Sequence, residues 1–98
     1  MELRILASLS QDEGLVSAFE SGEDIHERTG RFLFGEGRTI TPELRRIAKS
    51  VNFGVIYGIT GFGLAKTLET SPREADHYIQ TFYRTYPRVR EYYNHLLE

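Results

Sequence analysis

Three cations and two aromatics, Arg45, Arg46, Lys49, Phe53 and Tyr57, follow one another closely, most of them four residues apart. Arginine offers a planar fork of donors to phosphate oxygens, lysine a compact charge, and an aromatic face stacks on a base for about 1–3 kcal/mol. Such a set could hold a polyphosphate that carries a planar base. On a helix turning about 100° per residue, with Arg45 at zero, Lys49 falls at about 40°, Phe53 at about 80°, Arg46 at about 100° and Tyr57 at about 120°. Leu44, Ile47, Ala48, Val51 and Val55 fall on the opposite side, between about 200° and 300°. Along the axis Lys49 and Phe53 are about 6 Å apart and Arg45 and Tyr57 about 18 Å, the scale of a nucleoside triphosphate. Periodicity alone leaves two readings open. The cations can be a solvated face with the aromatics packed on a neighbouring loop, or a ligand can lie along the helix.

The elements that position this face read as helices. Thr41-Pro42 is a cap followed by proline at the first helical position, opening a helix through about residue 57. Ser10-Gln11-Asp12-Glu13 reads as a capping box with Ser10 as the cap, predicting a helix over 11–20 whose stripe is Leu15, Val16 and Phe19. Asp24 and Glu27 repeat that logic, with Ile25, Phe32 and Leu33 on one side and Gly35 as a left-handed stop. Gly58, Gly61 and Gly63 surround Thr60 and Phe62, predicting a flexible elbow and hinge before a short helix at about 64–68. Ser71-Pro72-Arg73-Glu74 opens the longest helix, with Phe82, Tyr86 and Ile79 as its packing stripe, and Pro87 breaks or kinks it near Tyr86. Residues 3–6 fit a short extended piece, yet Leu3, Leu6 and Leu9 also fit a helical stripe. The fold class is therefore all-α, a small multi-helix subdomain of about five to six helices with a Gly-rich elbow.

Composition sets the outer limits. A chain of 98 residues is one domain or part of one, and 40% hydrophobic with 27% charged residues is ordinary soluble composition. Twelve Lys plus Arg against fourteen Asp plus Glu give a net charge of −2, so any polyanion site must be local. Zero cysteines exclude a disulfide framework, a thiolate metal site and a cysteine nucleophile. There is no apolar run long enough to span a membrane and no secretory leader, so a cytoplasmic location is expected.

The run Arg45-Arg46-Ile47-Ala48-Lys49-Ser50-Val51-Asn52-Phe53-Gly54-Val55-Ile56-Tyr57-Gly58 resembles the fingers-helix signature of family A DNA polymerases, the bacterial DNA polymerase I type, at every signature position. Glu2-Leu3-Arg4-Ile5-Leu6-Ala7 resembles the end of that family's first palm motif, and Asp24-Ile25-His26 a landmark between the two. The resemblance covers residues 1–98 as a fingers subdomain, with 1–9 the residual end of the palm motif and 41–58 the nucleotide-binding helix. It implies that Arg45 and Lys49 bind the triphosphate of an incoming deoxynucleotide (dNTP), with His26 adding a phosphate contact. Phe53 would pack on the sugar and base, discriminating against sugars lacking a 3′-hydroxyl. Tyr57 would stack near the templating base, Arg46 would lie near the base or primer end, and Glu2 would be the steric gate against ribose. Gly54 and Gly58 would allow close approach of backbone and template, and the elbow would open and close the helix. The implied partners are dNTP, primer-template DNA and a palm subdomain, in DNA replication and repair.

The same resemblance implies what this stretch lacks. No catalytic aspartate precedes Glu2, and neither His77 nor His95 has the neighbours of the second palm motif. Two-metal phosphoryl transfer needs carboxylates holding both ions. Magnesium is thus expected as cofactor of the parent enzyme and not of residues here. The chain reads as an excised, monomeric piece, inactive alone, with Met1 a start added at the cut and with fraying across 2–9 where the palm is missing. The competing class is a noncatalytic helical module that binds nucleic acid or protein. Weaker signals are Gly61-Phe62-Gly63 with Lys66, an incomplete phosphate loop, and Arg84, Arg88 and Arg90, which read as a solvated face.

Overall fold

A computed structural model describes residues 2–97, so Met1 and the start assigned to it lie outside the described residues, as does Glu98. Seven helices run through them: α1 (Leu3–Ser10), α2 (Glu13–Glu20), α3 (Ile25–Phe34), α4 (Pro42–Ile56), α5 (Gly61–Leu68), α6 (Pro72–Thr85) and α7 (Pro87–Leu96). The class is all-α, with no strand among the described residues. The count exceeds five to six because residues 3–10 form a helix of their own and Pro87 fully separates α6 from α7. That break also leaves α6 at 14 residues, shorter than the 15 of α4.

Side-chain caps fix most starts. Asp24 Oδ1 accepts from the amides of His26 (3.0 Å) and Glu27 (3.2 Å), Thr41 Oγ1 from Leu44 (3.2 Å) and Ser71 Oγ from Glu74 (3.1 Å). Asp12, not Ser10, caps α2, accepting from the Leu15 amide at 3.1 Å. The reason is tertiary. Asp12 is buried, and its second oxygen accepts from the Arg88 amide at 3.1 Å, joining the starts of α2 and α7. Ser10 ends α1 and accepts instead from the Asp12 amide.

The core is built from Leu6, Leu15, Val51, Val55, Leu64, Phe82, Tyr86 and Val89, all almost fully buried. α3 packs on α4, α5 on α6, and α1 on α2 and α7. Burying each large apolar side chain contributes about 1.5–3 kcal/mol. Tyr86, the residue between α6 and α7, lies wholly inside, 4.9 Å from the Phe82 ring and with its hydroxyl 3.1 Å from Thr29 Oγ1 on α3. α1, in the segment where fraying is expected, is a divided helix, with Leu3 and Leu6 in the core and Ile5 and Leu9 on the outer face. Phe32 also leaves its expected stripe and lies exposed, with the Arg28 guanidinium 5.5 Å from its ring centre. The Cα radius of gyration, 12.9 Å, is that of an independent domain of about 100 residues.

The elbow between α4 and α5 is tighter than its composition suggests. Only Gly58, at φ +67°, uses a left-handed backbone there; Gly61 and Gly63 belong to the first turn of α5. Gly54 and Gly63 instead make room for Ile59. A Cβ at Gly54 would stand 2.5 Å from Ile59 Cγ2, and one at Gly63 2.9 Å from Ile59 Cγ1. Gly35 closes α3 at φ +114° and ψ 138°, outside the left-handed helical region.

Candidate functional site

The polar face of α4 is arranged as its periodicity requires. Ala48, Val51 and Val55 are buried, while Arg45, Arg46, Lys49, Phe53 and Tyr57 are all exposed, Phe53 at 41% and Tyr57 at 74%. Tyr57 caps the C-terminus of the helix, and the Tyr93 hydroxyl of α7 donates to the Val55 carbonyl at 3.1 Å, holding that last turn. Large aromatics left outside a core are poised for a partner.

Beside this face a cleft of about 460 Å³ opens where α1, α2, α3 and α4 meet. Glu2, Arg4, Phe19, His26, Phe53 and Tyr57 line it. Four of the site residues expected from sequence, Glu2, His26, Phe53 and Tyr57, therefore meet at one place although they lie on α3, on α4 with its C-cap, and on the segment before α1. The cations Arg45, Lys49 and Arg46 stand further along α4, outside the walls of the cleft. On the other side of Phe53 and Tyr57 a second recess of about 350 Å³ runs past Gly54 to Ile59 and Leu64. The two aromatics form the wall between them.

Electrostatics order the cations. Arg45 donates from Nε to Asp24 Oδ2 at 2.9 Å and from Nη2 to Oδ1 at 3.3 Å. The Arg45 hydrogen bond, aided by the Glu27 and His26 amides, holds the Asp24 carboxyl below its ordinary range against the opposing effect of burial. Arg46 pairs with Glu43 on its own helix at 2.6 Å. Lys49 has no ion pair among the described residues, and its Nζ stands 5.6 Å from the Phe53 ring centre. His26 meets the same ring edge-on at 5.5 Å. Burial, then the charges of Arg45 and Lys49, push the His26 imidazole below its ordinary pKa, with Asp24 opposing. The neutral ring accepts at Nδ1 from Asn52 Nδ2 at 2.9 Å.

Sequence reasoning missed Asn52, Arg4 and Phe19, and it read Asp24 as a cap without its second partner, Arg45. Asn52 carried one signal, a polar residue at the border of the apolar arc, and it is wholly buried. Among the described residues no group of three or more His, Asp or Glu side chains could hold a metal ion. The donor set here thus does not fit a two-metal centre. No described helix is long and apolar enough to cross a membrane.

An all-helical domain whose central helix exposes cations and aromatics beside a cleft defines a class that the comparisons identify. The chain belongs to DNA polymerase family A, whose family model matches residues 1–98. Among its relatives, a DNA polymerase I of Caldicellulosiruptor bescii is 47% identical over 93 residues, covering 94% of this chain and 11% of the relative. One of Borreliella burgdorferi is 50% identical over 93 residues, covering 94% and 10%. The POL domain of Pol1 from M. smegmatis, solved in complex with DNA primer-template and dNTP, is similar at a TM-score of 0.78 and 38% identity, over 92% of this chain and 16% of that one. The chain thus spans about a tenth of the length of the curated relatives it matches.

Proposed function

We propose that this chain is the fingers subdomain of a DNA-directed DNA polymerase of the polymerase I type, binding the incoming dNTP and positioning the template base in replication and repair. The carrying observation is the exposed row Arg45, Lys49, Phe53 and Tyr57 on α4, which runs into the cleft that Glu2 and His26 also line. Lys49 and Arg45 take the triphosphate, with His26 donating from Nε2 to a phosphate oxygen. Phe53 covers the sugar and base, and Glu2 occupies the space a 2′-hydroxyl would need. Arg46 lies near the base or primer end, and Tyr57 guards the insertion site. Gly54 and Gly58 face the template side, where the second recess opens. Residues 1–9 belong to the end of a palm motif and 41–58 to the nucleotide helix. Primer-template DNA is the further partner, by the likeness to the M. smegmatis complex.

Magnesium would supply Lewis-acid chemistry to the parent enzyme, and its carboxylate ligands belong to parts of the parent beyond these residues. The 98-residue chain alone is a cytoplasmic, monomeric and inactive piece on this reading. The test is dNTP affinity of the full-length protein on primer-template DNA. Losing a hydrogen bond to a charged group costs about 1.5–3 kcal/mol, so Lys49→Ala should weaken dNTP binding about 10- to 100-fold. Unchanged affinity with lost DNA or protein binding would favour the noncatalytic helical module instead.

A further inference from the structure

Asn52 is wholly buried, yet it belongs to neither the apolar arc of α4 nor its exposed cations. Its Nδ2 donates across to α3, to His26 Nδ1 at 2.9 Å, and its Oδ1 is buried with no partner among the described residues. A buried carbonyl oxygen left empty is a cost that structures rarely carry without a use. The partner it faces has two states. Neutral His26 offers Nδ1 as an acceptor, which suits the asparagine NH2; protonated His26 offers Nδ1–H as a donor, which suits the asparagine carbonyl. The two ends of one amide match the two states of one ring.

We propose that Asn52 is a positioning residue that holds His26 in both states, so that polyphosphate binding draws a proton onto His26. In the free chain the Asn52 NH2 fixes the neutral tautomer and leaves Nε2–H as the nitrogen on offer to the cleft. As the polyanion arrives, solvent supplies a proton to Nδ1 and the amide turns about its last bond. Oδ1 then accepts from Nδ1–H, and both ring nitrogens donate. One N–H bond forms at Nδ1 and one bond to hydrogen breaks in the buffer acid, so each ring protonated takes one proton from the buffer and leaves its conjugate base. The charged groups around His26 set the direction. Asp24 beside it favours the imidazolium, while Arg45 and Lys49 on α4 oppose it. Glu2 and Arg4, on the segment before α1 and on α1, line the same cleft with opposite charges. A polyphosphate that engages Arg45 and Lys49 offsets the two opposing charges, which is what releases the protonation. Burial of the neutral ring is the remaining brake.

This inference rests on the nucleotide reading above, and the two fail differently. The experiment is calorimetry of dNTP binding to the full-length protein on primer-template DNA with a terminated primer, in two buffers of different ionisation enthalpy. Proton uptake per nucleotide is compared between wild type and His26→Gln, which cancels the titration of the nucleotide itself. Wild type should take up an excess fraction of a proton. Asn52→Leu, close to isosteric and apolar, should abolish that excess and weaken binding about three- to tenfold, the span of one lost hydrogen bond. Asn52→Asp can only accept, so it should hold the imidazolium beforehand, losing the excess uptake while keeping affinity at alkaline pH. Wild-type uptake in Asn52→Leu, or uptake in wild type equal to that in His26→Gln, overturns the proposal. The second comparison stands even if Asn52→Leu does not fold. Binding that ignores Lys49→Ala overturns the nucleotide reading itself.

Discussion

Gly54→Ala is the sharpest probe of how α4 is anchored. By helix propensity alone alanine in the last turns of α4 should stabilise by about 1 kcal/mol. Sterics oppose it, because the new Cβ would stand 2.5 Å from Ile59 Cγ2, where ordinary contact begins at 3.4 Å. Ile59 cannot turn away. Its other branch is wedged against Gly63, and its amide is tied to the Gly54 carbonyl at 2.8 Å. Relief requires α5 to move by about an ångström, and overpacking of this kind costs about 1–3 kcal/mol. With the propensity gain subtracted, the net loss is up to about 2 kcal/mol, or a fall in melting temperature of up to about 16 °C for a domain of this size. Thermal unfolding followed by circular dichroism measures it. The decisive arm is Ile59→Ala, which removes both branches. In that background Gly54→Ala should change sign and stabilise. If Gly54→Ala stabilises the parent, or costs the same in both backgrounds, Ile59 is not what the glycine accommodates and a role for Gly54 in flexibility gains ground.

Two further outcomes follow from single groups. Tyr86→Phe removes the hydroxyl that meets Thr29 Oγ1 inside the core; it should lower the denaturant midpoint by the equivalent of about 1–2 kcal/mol. Adding Thr29→Val should recover part of that loss, and an unshifted midpoint for Tyr86→Phe alone would contradict the bond. Asp24 has a carboxyl depressed chiefly by Arg45, so its stabilising contribution is present above the unfolded carboxylate pKa of about 4 and is lost as pH falls below it through the folded value. Arg45→Gln should flatten the decline of the unfolding midpoint in that acid range, and an unchanged slope would place the depression elsewhere.

What could be read in the chain was what its own neighbours decide. The caps at Asp24, Thr41 and Ser71 are local contests between a side chain and an amide two or three residues on, and the two faces of α4 follow from the helical period. Distant partners decided the rest. Ser10 and Asp12 are both competent caps, and the Arg88 amide, 76 residues from Asp12, is what Asp12 also binds. Leu3, Leu6 and Leu9 fit one stripe, yet only Leu3 and Leu6 enter the core. Glycines at 58, 61 and 63 read as freedom in sequence, whereas Gly63, like Gly54 on α4, is a space filled by Ile59. The cleft joins residues as far apart in the chain as Glu2 and Tyr57, and Asn52 met His26 across 26 positions with nothing in the string to mark the pair.

The net charge of −2 conceals how the α4 cations are held. Asp24 occupies two of the five donors of Arg45 while its Oδ1 also caps α3 at His26 and Glu27. A single phosphate competing for Arg45 would replace one exposed anion by another, an exchange of little net value in water. A polyphosphate need not make that exchange. On the proposed reading it can engage Lys49, which has no carboxylate to surrender among the described residues, and His26 Nε2, and reach Arg45 through the three donors that Asp24 leaves unused. Asp24 then aims the guanidinium fork while keeping α3 capped, and its negative charge weighs most against ligands too short to touch the other cations. Preference for a triphosphate would come as much from the acidic residue beside the face as from the basic residues on it.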